Sequence, residues 1–164
     1  MLLPFFEWCE TVWLGRVVVE SLWLFPVIEA AHLLALSMLG GAVLIVDLRM
    51  LGLGLTGRSV AEIARTARPY LLGAVVGLIA TGIPLFLSEP TKCYYNTAFW
   101  VKMYSLAIAL PFTFAIRNRI AAMESTDHTE KAVRHTARLQ VLVGALSIAL
   151  WVTVAAAGRW IGFS

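Results

Sequence analysis

Long apolar stretches alternate with short polar ones four times along this chain. Each apolar stretch has the length of about 20 residues that a helix needs to cross a hydrocarbon core about 30 Å thick. They predict transmembrane helices at about 22–48, 70–88, 98–118 and 137–161. The sequence therefore predicts an all-α integral membrane protein, a four-helix bundle forming a single domain over residues 1–164.

Two further segments are amphipathic rather than uniformly apolar. In the first 20 residues, aromatic side chains alternate with acidic ones and a basic start is missing, which favours a short interfacial helix over a signal peptide. Residues 59–68 have small apolar side chains on one side and arginines on the other. They predict a short amphipathic helix on the cytoplasmic surface of the membrane, separate from a second span that starts at Pro69.

Composition supports lipid as the main surrounding of the chain. Of its 164 residues, 60% are hydrophobic and 14% are charged. A soluble domain of this size leaves much of its chain exposed and could not hide so much apolar surface. The lipid bilayer is therefore the first predicted partner.

The distribution of lysine and arginine predicts the orientation, because cytoplasmic loops carry an excess of these residues. The third loop and its flanks hold Arg117, Arg119, Lys131, Arg134 and Arg138, and the first loop holds Arg49, Arg58, Arg65 and Arg68. The opposite side holds Arg16, Lys92, Lys102 and Arg159. We predict a bacterial inner-membrane protein with both termini in the periplasm. The net charge of +3 reflects this topology, and no nucleic-acid partner is expected.

Charged residues within the spans predict two ion pairs. Glu29 and Asp47 are 18 residues apart, which is five helical turns, so both point the same way from the first span. The third span runs in the same direction and begins with Lys102 and ends with Arg117. We predict the pairs Glu29–Lys102 and Asp47–Arg117, because an unpaired charge at membrane depth costs a few kcal/mol.

His32 lies one helical turn after Glu29 inside an uninterrupted apolar run. Such a histidine is satisfied by a neighbour, ligates haem iron or binds a metal such as copper. We predict a cofactor site with His32 as the metal ligand and with Glu29, Met103 and Trp151 beside it. Haem b is the predicted cofactor and copper the alternative.

A second axial ligand is not evident in a single copy of the chain. His128 and His135 lie near the third loop, well over 10 Å from the predicted height of His32. We predict that both are solvated, which leaves Met103 or Met38, a five-coordinate haem, or His32 of a second copy in a homo-oligomer. A stripe of small residues on the second span (Gly73, Gly77 and Thr81) also allows close helix–helix packing.

The two cysteines, Cys9 and Cys93, fall on the same predicted side of the membrane. A periplasmic location is oxidising, so a Cys9–Cys93 disulfide is one prediction, and two free thiols are the alternative.

The sequence resembles a family of uncharacterised four-helix bacterial inner-membrane proteins. The matching segments are PVIEAAHLLALSMLGGAVLIVDLRMLGL, NTAFWVKMYSLAIALPFTFAIRNR and AGRWIGF, with His32, Asp47, Arg49, Phe99 and Lys102 at the characteristic positions. The family resemblance implies the fold and emphasises His32, but it implies no activity. Lys102 and the pair Asn118-Arg119 give a more distant similarity to the copper-resistance D membrane family, which implies copper handling.

These observations lead to three functional hypotheses. The first is a haem b protein that transfers electrons, with quinone as a candidate partner. The second is a cofactor-free membrane anchor or accessory subunit of a larger membrane complex, and the third is copper handling. The sequence has no nucleophile elbow, phosphate-binding glycine loop, HExxH or CxxC motif, which favours a role other than that of an enzyme.

Overall fold

The computed structural model describes residues 2–55, 57–121, 123 and 130–161, with the backbone alone at 130–132. Every regular element in these ranges is helical. Four helices are long and apolar enough to cross a membrane: Leu24–Met50, Val60–Ser88, Thr97–Ala121 and Val133–Trp160. The predicted all-α, four-span fold is thereby confirmed.

The helices are numbered along the chain. They are α1 (Leu3–Glu10), α2 (Trp13–Glu20), α3 (Leu24–Met50), α4 (Val60–Ser88), α5 (Pro90–Tyr95), α6 (Thr97–Pro111), a π-helical segment (Phe112–Arg117), α7 (Asn118–Ala121) and α8 (Glu130–Trp160). The last helix therefore begins seven residues before the expected start at 137.

The end of α3 is set by Gly52, whose φ of 76° is a left-handed conformation that favours glycine. The N–H of Gly52 donates to the carbonyl of Arg49 at 3.0 Å, and that of Leu53 donates to the carbonyl of Leu48 at 2.9 Å. This pair of bonds is a Schellman motif, which satisfies carbonyls that the last helical turn leaves unpaired. The glycine-rich linker therefore stops the first span where the sequence predicts.

The predicted boundary at Pro69 is absent, because residues 60–68 and the second span form one continuous helix, α4. Its start is capped by Ser59, whose hydroxyl accepts a hydrogen bond from the N–H of Glu62 at 3.1 Å. A proline inside a helix frees one carbonyl four residues earlier, here that of Arg65. Since Arg65 is exposed near the helix end, water can satisfy this group, and the helix continues.

The third span begins at Asn96, whose Oδ1 accepts from the N–H of Ala98 at 2.9 Å. Directly after Pro111, the third span contains the π-helical segment. This wider turn ends at Arg117, which is almost completely buried. The π-helical segment therefore ends at one of the two buried charged side chains of the protein's described part, the other being Asp47.

The spans pack in the order α4–α3–α8–α6, and α4 meets the third span chiefly through α7. At the basic end, defined here as the end with residues 49–55, 57–68, 118–121 and 133–138, a core forms between α3 and α4. At the opposite end, called here the terminal end, α2 packs on α4 and α1 packs on α5.

The N-terminal segment is two short helices rather than the single interfacial helix that we expected. Trp8 and Trp13 are exposed as an interfacial helix requires, but Phe6 and Cys9 are buried. Phe6 is only 5% exposed, because its ring lies among aromatic side chains of α4, α5 and α6. Its ring contacts are with Phe86, Tyr94, Phe99 and Trp100. The ring of Phe6 thus fills the space between the second and third spans at the terminal end.

Candidate functional site

His32 lies on α3 and faces α4, where its side chain is half-buried. Its Nδ1 is 2.8 Å from the hydroxyl oxygen of Thr81. That hydroxyl donates its only proton to the carbonyl of Gly77 at 2.7 Å. Thr81 must therefore accept from His32, so Nδ1 carries the proton and Nε2 keeps its lone pair. Among the described residues, no hydrogen-bond partner is found for Nε2.

Small residues on α4 provide the space for this imidazole. A Cβ atom at Gly82 would lie 3.3 Å from Cε1 of His32, which is tighter than ordinary van der Waals contact. Five residues earlier on α4, a Cβ atom at Gly77 would lie equally close, at 3.3 Å, to the side chain of Ala35. The predicted stripe of small residues therefore packs within the chain against α3, and it is not free to form an interface with a second copy.

The expected Glu29–Lys102 ion pair is not formed. Glu29 is exposed on α3, and neither side chain has an ion-pair partner among the described residues. The reason is the order of the helices, since α3 packs on α4 and α8 while α6 packs on α8. Lys102 lies along α8, where its Nζ is 3.8 Å from the position of a Cβ atom at Gly158.

Lys102 lies in the same terminal half of the bundle as His32 and contributes to its electrostatic environment. It also acts on Cys93 of α5. The terminal half of the bundle therefore has a half-buried ammonium near the half-buried imidazole, with no carboxylate paired to it in the described ranges. A cation in this position favours an anionic group close to His32.

The sequence also predicts three residues beside His32, which are Glu29, Trp151 and Met103. Glu29 makes no hydrogen bond to His32, whose Nδ1 is held by Thr81 instead. Trp151 donates from Nε1 to the hydroxyl of Thr113 at 3.0 Å and so belongs to a different polar cluster. Met103 is 43% exposed on α6 and makes no polar contact with His32. The structure therefore does not bring Glu29, Met103 or Trp151 into polar contact with His32 among the described residues.

The second predicted ion pair is formed in the interior of the basic half. Nε of Arg117 donates to Oδ1 of Asp47 at 2.6 Å, and the side chains are 1% and 0% exposed. The remaining guanidinium nitrogens donate to the carbonyl of Val43 and to Oδ1 of Asn118, both at 2.9 Å. Three acceptors thus share one guanidinium, which is the arrangement that a buried arginine needs.

Ser147 of α8 extends this polar cluster. It is completely buried and lies beside Asp47. Its hydroxyl and Oδ2 of Asp47 are buried oxygens without a well-aligned hydrogen bond. Since each could complete the other's hydrogen bonding, a small rotation of the serine hydroxyl or one bound water would satisfy both.

Cys9 and Cys93 are free thiols in the structure, so the predicted Cys9–Cys93 disulfide is not formed. Cys9 is on α1 and Cys93 is on α5, and these two helices pack together. Burial raises the pKa of the Cys93 thiol, and the nearby Glu89 carboxylate raises it further. Both effects favour the neutral thiol at physiological pH.

Of the two remaining histidines, the structure describes His135. His135 is exposed on α8 toward the basic end, as expected for a solvated residue. His128 lies outside the described residues. Within the described ranges, no group of three or more histidine, cysteine, aspartate or glutamate side chains could hold a metal ion.

Comparison with known proteins places this arrangement in a family. A family model matches residues 5–164, which is nearly the whole chain. The chain belongs to DUF6644, a family of unknown function. No curated protein and no solved structure matches it.

For this DUF6644 protein, the sequence did not predict Thr81 as the hydrogen-bond partner of His32. Thr81 stood out only as a member of a small-residue stripe, although it is the one member with a hydroxyl. The available signal was the hydroxyl of Thr81 in a stripe whose other members are glycines, because a buried hydroxyl requires a hydrogen-bond partner.

Proposed function

We propose that this DUF6644 protein binds haem b through Nε2 of His32 and transfers electrons within the membrane. The observation that carries the proposal is the hydrogen bond from Nδ1 of His32 to Thr81. A histidine that ligates a metal usually donates its other ring N–H to a fixed acceptor, which sets the tautomer and the ring orientation. Here Thr81 is that acceptor, and Nε2 is left with its lone pair.

The residues around His32 fit this cofactor in two further respects. Haem carries propionate groups, and Lys102 is a half-buried cation near His32 without a carboxylate partner in the described ranges. Gly82, which has no side chain, leaves space for the imidazole beside α4. When bound, haem supplies one-electron chemistry, while the chain's own residues hold the imidazole, balance the carboxylate charge and exclude water.

A second copy of the chain would supply a further His32 to hold the haem, in a symmetric dimer. This proposal rests on the separation of the chain's histidines, since His135 lies toward the opposite end of the bundle. Electrons would be exchanged with a membrane quinone, as the sequence predicts. Copper handling and a cofactor-free accessory role remain predictions, and no contact in the described ranges favours either one.

The test is the absorption spectrum of the detergent-purified protein in its oxidised and reduced states, expressed with sufficient haem. We expect a Soret band that is lost in His32→Ala and kept in His135→Gln, the matched control on the exposed surface of α8. A band that survives His32→Ala, or a colourless wild-type protein, would contradict the proposal. Copper found by elemental analysis, or a co-purified membrane complex, would favour one of the other two hypotheses.

We also propose that the basic end of the bundle faces the cytoplasm of a bacterial cell. The support is the lysine and arginine distribution, which assigns the first and third loops to that side. The test is labelling of intact cells with a membrane-impermeant maleimide, using Leu22→Cys at the terminal end and Arg58→Cys at the basic end. Only Leu22→Cys should react, and the reverse pattern would overturn the orientation.

A further inference from the structure

A basic cleft lies at the basic end, where α4 approaches the end of the third span. Its volume is about 760 Å³, within the range of small-ligand sites. Three arginines line it from two different elements, Arg65 and Arg68 from α4 and Arg119 from α7. We propose that this cleft binds a phosphate-bearing anion, for which the headgroup of an anionic phospholipid is the expected source.

The three arginines are available for a ligand. None of them forms a salt bridge with an acidic side chain in the described part of the chain. The single carboxylate in the lining belongs to Glu62, and it is engaged by Arg58 at 3.4 Å. The cleft therefore has a clear excess of positive charge. Planar guanidinium groups suit phosphate oxygens, since each can donate two parallel hydrogen bonds.

Neutral donors in the lining add to this site. Oδ1 of Asn118 accepts from Arg117, so the amide NH₂ of Asn118 is left to donate. The hydroxyl oxygen of Ser59 accepts from a backbone N–H, which leaves its proton for a ligand. Apart from Glu62, the polar side chains of the lining thus offer donors, as expected of a site for an anion.

The surroundings of the cleft favour a lipid as the source of the phosphate. Phe114 and Ala115, which also line it, are exposed apolar residues of a membrane-crossing span. A phospholipid could therefore place its headgroup among the arginines and its acyl chains along the apolar surface of the third span. Basic pockets between transmembrane helices are suited to this mode of binding.

The test measures thermal unfolding of the full-length protein in detergent with added phosphatidylglycerol, phosphatidylcholine or inorganic phosphate. We expect phosphatidylglycerol to raise the midpoint and phosphatidylcholine to leave it unchanged, because a ligand of the folded state stabilises it. The affinity for phosphatidylglycerol should fall about tenfold in Arg119→Gln, and partly in Arg119→Lys, which keeps the charge but not the planar fork.

Arg138→Gln is the matched control, since Arg138 is an exposed arginine at the same end that does not line the cleft. It should bind phosphatidylglycerol like the wild type. Equal losses in Arg119→Gln and Arg138→Gln, or equal stabilisation by both lipids, would overturn the proposal. If inorganic phosphate competes fully with phosphatidylglycerol, the cleft is still a phosphate-binding site, but its ligand is a soluble anion and not a lipid.

Discussion

Arg117 and Asp47 are 70 residues apart in sequence, yet the guanidinium Nε of one donates to the carboxylate of the other at 2.6 Å. Both side chains are removed from solvent and from lipid. The contact joins the first span to the third span at the basic end, although these two spans do not pack closely along the rest of their length. It therefore fixes their relative position where few apolar contacts do so.

Removal of one member of this pair should destabilise the protein strongly. Arg117→Met leaves the Asp47 carboxylate buried without its cation, and we expect a loss of about 3–5 kcal/mol in the free energy of unfolding. Thermal unfolding in detergent, followed by tryptophan fluorescence, measures this loss. The double variant Asp47→Leu with Arg117→Met should lose less than Arg117→Met alone, because it strands no charge. A single variant as stable as the wild type would refute the structural role of the pair.

Two adjacent phenylalanines should differ sharply in their contribution to stability. Phe6 is 5% exposed and Phe5 is 53% exposed, although both lie on α1. Phe6→Ala should cost about 3 kcal/mol, because it removes a buried ring and leaves a cavity. Phe5→Ala should change stability little. Similar midpoints for the two variants in thermal unfolding would mean that the packing of the Phe6 ring does not stabilise the terminal end.

The tautomer of His32 should depend on Thr81. In the wild type, nitrogen NMR of labelled histidine should show the proton on Nδ1, with His32→Gln used for assignment. Thr81→Val removes the acceptor, so this preference should weaken and the haem content should fall. Thr81→Ser keeps the hydroxyl and should behave like the wild type. An unchanged tautomer in Thr81→Val would remove the basis for the proposed orientation of Nε2.

Glycine substitutions on α4 should separate a tight contact from an ordinary one. The added methyl of Gly82→Ala would crowd the ring of His32, whereas that of Gly73→Ala would lie 3.8 Å from Met38. We expect Gly82→Ala to cost about 1–3 kcal/mol, as overpacking does. Gly73→Ala should be close to neutral. Equal effects in thermal unfolding would show that α4 can shift to relieve the crowding.

The thiol of Cys93 should react slowly near neutral pH. Its raised pKa means that less thiolate is present at a given pH than for an exposed cysteine, and the thiolate is the reactive form. In a Cys9→Ala background, alkylation of Cys93 should accelerate only at alkaline pH. A cysteine introduced by Leu22→Cys, with Cys93→Ser, provides the exposed reference. Identical pH profiles for the two thiols would contradict the effect of burial.

The sequence by itself determined the membrane fold, the four spans and the Asp47–Arg117 pair. These follow from local quantities: the length of each apolar run, the helical period and the cost of an unpaired charge in lipid. The boundary at Pro69 was wrong because a local helix-breaking rule does not say whether the freed carbonyl is hydrated.

The tertiary structure decided which helices are neighbours, and with them the partners of the buried polar groups. Because α3 packs on α4 rather than on α6, His32 meets Thr81 and Glu29 does not meet Lys102. The cleft with Arg65 and Arg119 likewise exists only because α4 approaches α7. Helical periodicity fixes the face on which a residue lies, but the order of packed helices depends on the fit of all their surfaces together.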